Sequence, residues 1–124
     1  MIYELNYKRM EKIFRKHWFN ISHVVLKSKP FMDLHFEKIG ENTFAMAHYF
    51  EQNGDLVPDP DMEIRVFPEK GMVEALTFQS QLSYSRVYPD PENPNLVNIR
   101  VKIELNRFLG MWLRNLINQG FRFQ

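Results

Sequence analysis

Apolar positions recur with two different periods along this chain, and the switches between them divide it into three parts. Tyr7, Met10, Phe14 and Trp18 fall at helical spacing, with Ile13 and His17 flanking that face. At 100° per residue, Lys8, Arg9, Lys12, Arg15 and Lys16 project opposite it. Asn6 is placed to cap this helix, with Leu5 before it packing on Met10. The middle alternates. Met32, Leu34 and Phe36 oppose Asp33, His35 and Glu37, and Phe44, Met46, His48 and Phe50 oppose Ala45, Ala47 and Tyr49.

Turn residues punctuate the alternating region. Gly40-Glu41-Asn42 and Asn53-Gly54 end two strands, and Asp55 to Asp61, rich in proline and aspartate, reads as a loop. Met62 to Phe67 and Met72 to Gln81 then form a hairpin about the Pro68–Gly71 turn. Ser22 to Lys27 reads as a further short strand, with Val24 and Leu26 on one face, and Ser83 to Tyr88 is extended. Near the end, Val101, Leu105, Phe108, Leu109, Trp112, Leu113 and Leu116 form one helical stripe, with Gly120 as its C-terminal cap. Val97 to Ile103 also alternates, but Val101 and Leu105 continue the stripe and carry the helix back to about Asn98. The expected fold is a single α+β domain over residues 1–124. Its antiparallel sheet has four to six strands, with an N-terminal and a C-terminal helix on one face. Phe108 and Trp112 are expected to pack on the Met62, Ile64 and Val66 face.

Composition narrows the class. The 124 residues are 44% hydrophobic and 25% charged, which excludes a disordered chain and fits one core. Without cysteine there is no disulfide framework, thiolate metal site or thiol nucleophile. The absence of a secretory pattern and of any run of ~18 apolar residues predicts a cytoplasmic protein with no membrane span. No phosphate loop, dinucleotide fingerprint or hydrolase motif occurs, so no cofactor is implied.

The net charge of +1 hides an asymmetry. Residues 1–29 hold seven Lys/Arg against two Glu, residues 30–96 hold four against twelve Asp/Glu, and residues 97–124 hold five against one. Basic ends and an acidic middle attract one another in a fold or are simply solvated; the alternative is a basic surface built from both ends. Lys8, Lys12, Arg15 and Lys16 would form one half of it. Arg100, Arg107 and Arg114, seven residues apart and drifting by only ~20° per step, would form the other.

Three further groups have residue types that could carry chemistry. Pairing Phe67 with Met72 sets Arg65 opposite Glu74. That is ordinarily an exposed ion pair worth at most ~1 kcal/mol, and its functional form is a guanidinium oriented to hold an anion. Asp33, His35 and Glu37, with His48 on the next strand, could hold a divalent metal or act as an acid–base pair. Alternating strands produce such polar faces routinely. Asp55, Asp59, Asp61 and Glu63 are oxygen-rich but lack EF-hand spacing, and read as a solvated turn.

Several stretches share one likeness. They are Glu4-Leu-Asn-Tyr7, Asp59-Pro-Asp-Met-Glu-Ile-Arg-Val-Phe67 followed by Met72-Val-Glu-Ala75, Tyr88-Pro89, and Asn106-Arg-Phe-Leu-Gly-Met-Trp-Leu-Arg114 closed by Gly120. Together they resemble the uncharacterised YqiB-like family of small bacterial proteins. The resemblance implies an intracellular bacterial protein and transfers no activity. The expectation is therefore a non-enzymatic binding module whose basic helical surface meets an acidic protein or other anionic partner, nucleic acid being the lesser candidate. The alternative is a small enzyme or metal-dependent protein built on Asp33, His35, Glu37 and His48.

Overall fold

The computed structural model describes residues 1–124. Two helices, α1 (Ile2–Phe14) and α2 (Ile99–Asn118), enclose seven strands in the sequence. These are β1 (His23–Leu26), β2 (Leu34–Gly40), β3 (Thr43–Gln52), β4 (Asp55–Phe67), β5 (Met72–Ala75), β6 (Thr77–Gln79) and β7 (Tyr84–Arg86). They form one antiparallel sheet in the order β1-β2-β3-β4-β6-β7, with β5 also paired to β4. Seven strands exceed the four to six expected, for two reasons. The Met72–Gln81 segment breaks at Leu76 into two strands, and β1 and β7 both join the sheet.

The largest correction concerns residues 55–61, which are strand rather than loop. Asn53 and Gly54 have φ of 54° and 86°, so they form a two-residue turn in which Gln52 pairs directly with Asp55. Turns with φ positive at both central residues match the twist of a hairpin, and Asn-Gly is their preferred sequence. The oxygen-rich residues 55, 59, 61 and 63 therefore lie along β4. Met62, Ile64 and Val66 turn inward as the alternation predicts, and Glu63 and Arg65 turn away.

The first helix begins at Ile2, four residues before the expected cap. Asn6 is accordingly buried mid-helix, while Leu5 is exposed and staples nothing. The helix ends at Phe14, and Arg15 and His17 take positive φ, so Trp18 reaches the core from a 3-10 turn. In α2, Asn98 caps the start by accepting the Val101 N–H, and Gly120 follows the end with φ of 86°. The helical reading of Val97 to Ile103 holds from Ile99 onward.

Both helices and the inner sheet face share one core. It joins Met10, Ile13 and Phe14 to Leu34, Phe36, Phe44, Met46, Met62 and Ile64, and to Leu109, Trp112 and Leu113. The ring neighbours of Phe108 and Trp112 are Phe78 of β6 at 5.0 Å and His48 of β3 at 5.6 Å, rather than the expected Met62, Ile64 and Val66 of β4. Contacts advance in step along the helices: Tyr3 with Lys102, Asn6 with Asn106, and Arg9 beside Gly110. They therefore run side by side in the same direction. No helix is long and apolar enough to cross a membrane.

Candidate functional site

The two helices are held together by polar groups as well as by packing. Asn6 Nδ2 donates to the Asn106 carbonyl at 3.2 Å, and Arg9 donates to Asn6 Oδ1 at 2.8 Å. Asn106 Oδ1 accepts the Ala75 N–H at 2.9 Å, and its Nδ2 donates to the Lys102 carbonyl at 2.8 Å. A strand edge otherwise open to pairing is thus closed by a side chain from α2. Each buried amide has partners, which such groups require. Sequence reasoning missed this role. The available signal was a polar Asn106 set between Leu105 and Leu109, and an asparagine at residue 6 that the helix runs straight through.

The two basic faces are adjacent. Lys8, Lys12, Arg15 and Lys16 are exposed on or just after α1, and Arg100, Arg107 and Arg114 are exposed on α2. Arg9 sits at the seam, its guanidinium pulled below its ordinary range first by burial and then by the charge of Arg114. Of the seven predicted cations only Arg100 has a carboxylate partner, Glu104 at 3.1 Å. Leu5, Ile103 and Met111 are exposed on the same two helices.

The acidic middle goes elsewhere. Phe36, Met46 and Met62 point into the core, so Glu37, Ala45 and Glu63, and likewise His35, Ala47 and Asp61, line the opposite face in register. Burial, then Glu63 and Glu37, hold the Asp61 carboxyl above the ordinary carboxylate range. Glu37, Asp61 and Glu63 of the acidic middle therefore lie on the sheet face away from the helices.

Arg65 does stand opposite Glu74, in the expected register. The expected ion pair is absent, however, because Glu74 is buried and turned to other partners. Tyr88 donates its hydroxyl to Glu74 at 3.0 and 3.2 Å, and Lys102 Nζ lies 3.7 Å from the carboxylate. Burial and the Glu74 charge raise the Tyr88 phenol. Burial pulls Lys102 down, but Tyr88, Glu74 and Tyr3 outweigh it and leave the ammonium above its ordinary range. Two cavities meet at this wall. One of about 270 Å³ is lined by Tyr3, Lys70, Met72 and Lys102, and one of about 440 Å³ by Thr43, Arg65, Thr77 and Arg86. Phe67, Glu74 and Tyr88 belong to both.

The proposed metal or acid–base group does not assemble. His35 and Glu37 lie on the open face, whereas a register shift between Ala47 and Tyr49 accompanies a buried His48 against Trp112 and Phe121. Its Nδ1 bonds the Asp33 carbonyl at 2.9 Å, while the Asp33 carboxylate pairs with Lys27. Neither these residues nor the acidic ones of β4 form a group of three that could hold a metal ion.

The family model described as a domain of unknown function (DUF6908) matches residues 6–122. The chain belongs to that family. Within this DUF6908 chain the match takes in α1 from Asn6 onward, every strand and all of α2. No curated protein and no solved structure matches it. Of the YqiB-like resemblance, the coarser part stands, membership of a family without an assigned function.

Proposed function

We propose that this DUF6908 domain is a non-enzymatic binding module whose paired helices dock an acidic partner protein. One observation carries the reading: α1 and α2 run side by side, with Arg9 against Gly110, so the exposed Lys8, Lys12, Arg107 and Arg114 flank one seam and none of the four is paired with a carboxylate. An anionic partner relieves the repulsion among these like charges, and charge complementarity of this kind sets partner choice and association rate. Leu5, Ile103 and Met111 add apolar contact area, so the partner segment is amphipathic as well as acidic. The YqiB-like resemblance supports an intracellular bacterial setting for it.

A labelled peptide of alternating acidic and leucine-rich turns, titrated at two salt concentrations, tests this. Binding should weaken with salt and be lost in Lys12→Glu/Arg114→Glu. No binding at low salt contradicts the proposal. So does tighter binding of a labelled DNA duplex with a salt slope near −0.9 per phosphate neutralised, which would make the surface a nucleic-acid site.

A further inference from the structure

The cavity beside Glu74 lies apart from the outward basic face of the helices, and its lining specifies a different kind of ligand. Three aromatic rings, Tyr3, Phe67 and Tyr88, supply much of its wall, with Met72 and Val73 completing the apolar part. Its charged groups are Lys70, Lys102 and Glu74. The carboxylate is already engaged by the Tyr88 hydroxyl and stands 3.7 Å from Lys102. That leaves the lining with one cation in excess. Lys70 Nζ lies 5.9 Å from the Phe67 ring centroid and Lys102 Nζ 5.7 Å from that of Tyr3. Each ammonium is therefore held over an aromatic face, within the ~6 Å at which ring and cation attract.

We propose that this cavity binds a small anion with a flat apolar body, of the class of single-ring aromatic carboxylates and phosphate monoesters. The ring would lie among Tyr3, Phe67 and Tyr88, and the anionic group would reach Lys70 and Lys102. At about 270 Å³ the space falls just below the range of roughly 300–1,000 Å³ common for small-molecule sites, which selects a ligand of one ring. A cationic ligand is disfavoured because the Glu74 oxygens are committed to Tyr88 and Lys102. The neighbouring cavity of about 440 Å³ is a poorer anion site. There Glu63, Glu74 and Asp90 outnumber Arg65 and Arg86.

Amide spectra of the full chain, titrated with benzoate, phenyl phosphate and benzylamine, test the proposal. Both anions should produce saturable shifts at Phe67, Lys70 and Met72, and benzylamine should not. Lys70→Gln, a change at an exposed residue, should weaken both anions roughly tenfold through loss of one charge-assisted hydrogen bond. Lys12→Gln on the helical face should leave them unchanged. The proposal is overturned if benzylamine shifts these amides more than the anions do, if neither anion saturates at millimolar concentration, or if Lys70→Gln binds as the parent does.

Discussion

Tyr88 holds Glu74: its hydroxyl lies 3.0 Å from one carboxylate oxygen and 3.2 Å from the other, on a glutamate only 6% exposed. A buried carboxylate that loses a donor bears the desolvation of the group it leaves unmatched. Tyr88→Phe should therefore destabilise the protein by about 1–3 kcal/mol in urea denaturation. Arg65, which faces Glu74 without pairing to it, should show coupling to Glu74 below ~0.5 kcal/mol in a double-mutant cycle. Stronger coupling to Arg65 than to Tyr88 would mean that the carboxylate is turned the wrong way in this account.

That relationship also marks what the sequence can reveal. Alternation and turn chemistry are local, so the Arg65–Glu74 register, the inward faces of β2 to β4 and the α2 stripe were legible. Side-chain partners across a fold are not local. Glu74 could as well have met Arg65 as Tyr88, fourteen residues away, or Lys102, twenty-eight away. The proline and aspartate of residues 55–61 disguise the first half of β4, although the Asn53-Gly54 turn itself implies a strand on either side. The basic faces could be drawn from sequence, but their adjacency follows from the parallel run of two helices with 84 residues between them.

Gly110 faces α1 with no room for a side chain. A Cβ there would stand 2.8 Å from an Arg9 guanidinium nitrogen and 3.0 Å from Asn6 Oδ1. Arg9 can swing aside, but Asn6 is fixed by its bond to Asn106. Gly110→Ala should cost about 1–3 kcal/mol, the scale of overpacking, despite the better helix propensity of alanine. Thermal denaturation showing a more stable variant would place the helix crossing elsewhere.

Trp112 is 5% exposed against His48 and Phe108, and its indole N–H bonds no group of the protein. The ring therefore contributes as hydrocarbon. Trp112→Ala should lose on the order of 3–5 kcal/mol, and Trp112→Phe much less, because no hydrogen bond is broken. Equal losses in denaturant titrations would contradict this.

Asp61 gives the stability a pH dependence. Because burial, Glu63 and Glu37 raise its carboxyl, the folded chain keeps the proton where the unfolded chain has released it. Stability thus falls as pH rises from the ordinary carboxylate value of about 3.9 through the raised one. Asp61→Asn carries no such proton. Its melting temperature relative to the parent should be more favourable at about pH 7 than at about pH 3, and an unchanged difference would show that Asp61 is not the group responsible.

Amide shift mapping with the acidic amphipathic peptide measures most directly whether the paired helices are a docking surface. The account predicts saturable shifts at Lys8, Arg9 and Lys12 on α1 and at Arg107 and Arg114 on α2. They should diminish with added salt and vanish in Lys12→Glu/Arg114→Glu. Shifts confined to the open sheet face around Glu37 and Asp61, or shifts on the helices that survive the double charge reversal, would contradict it.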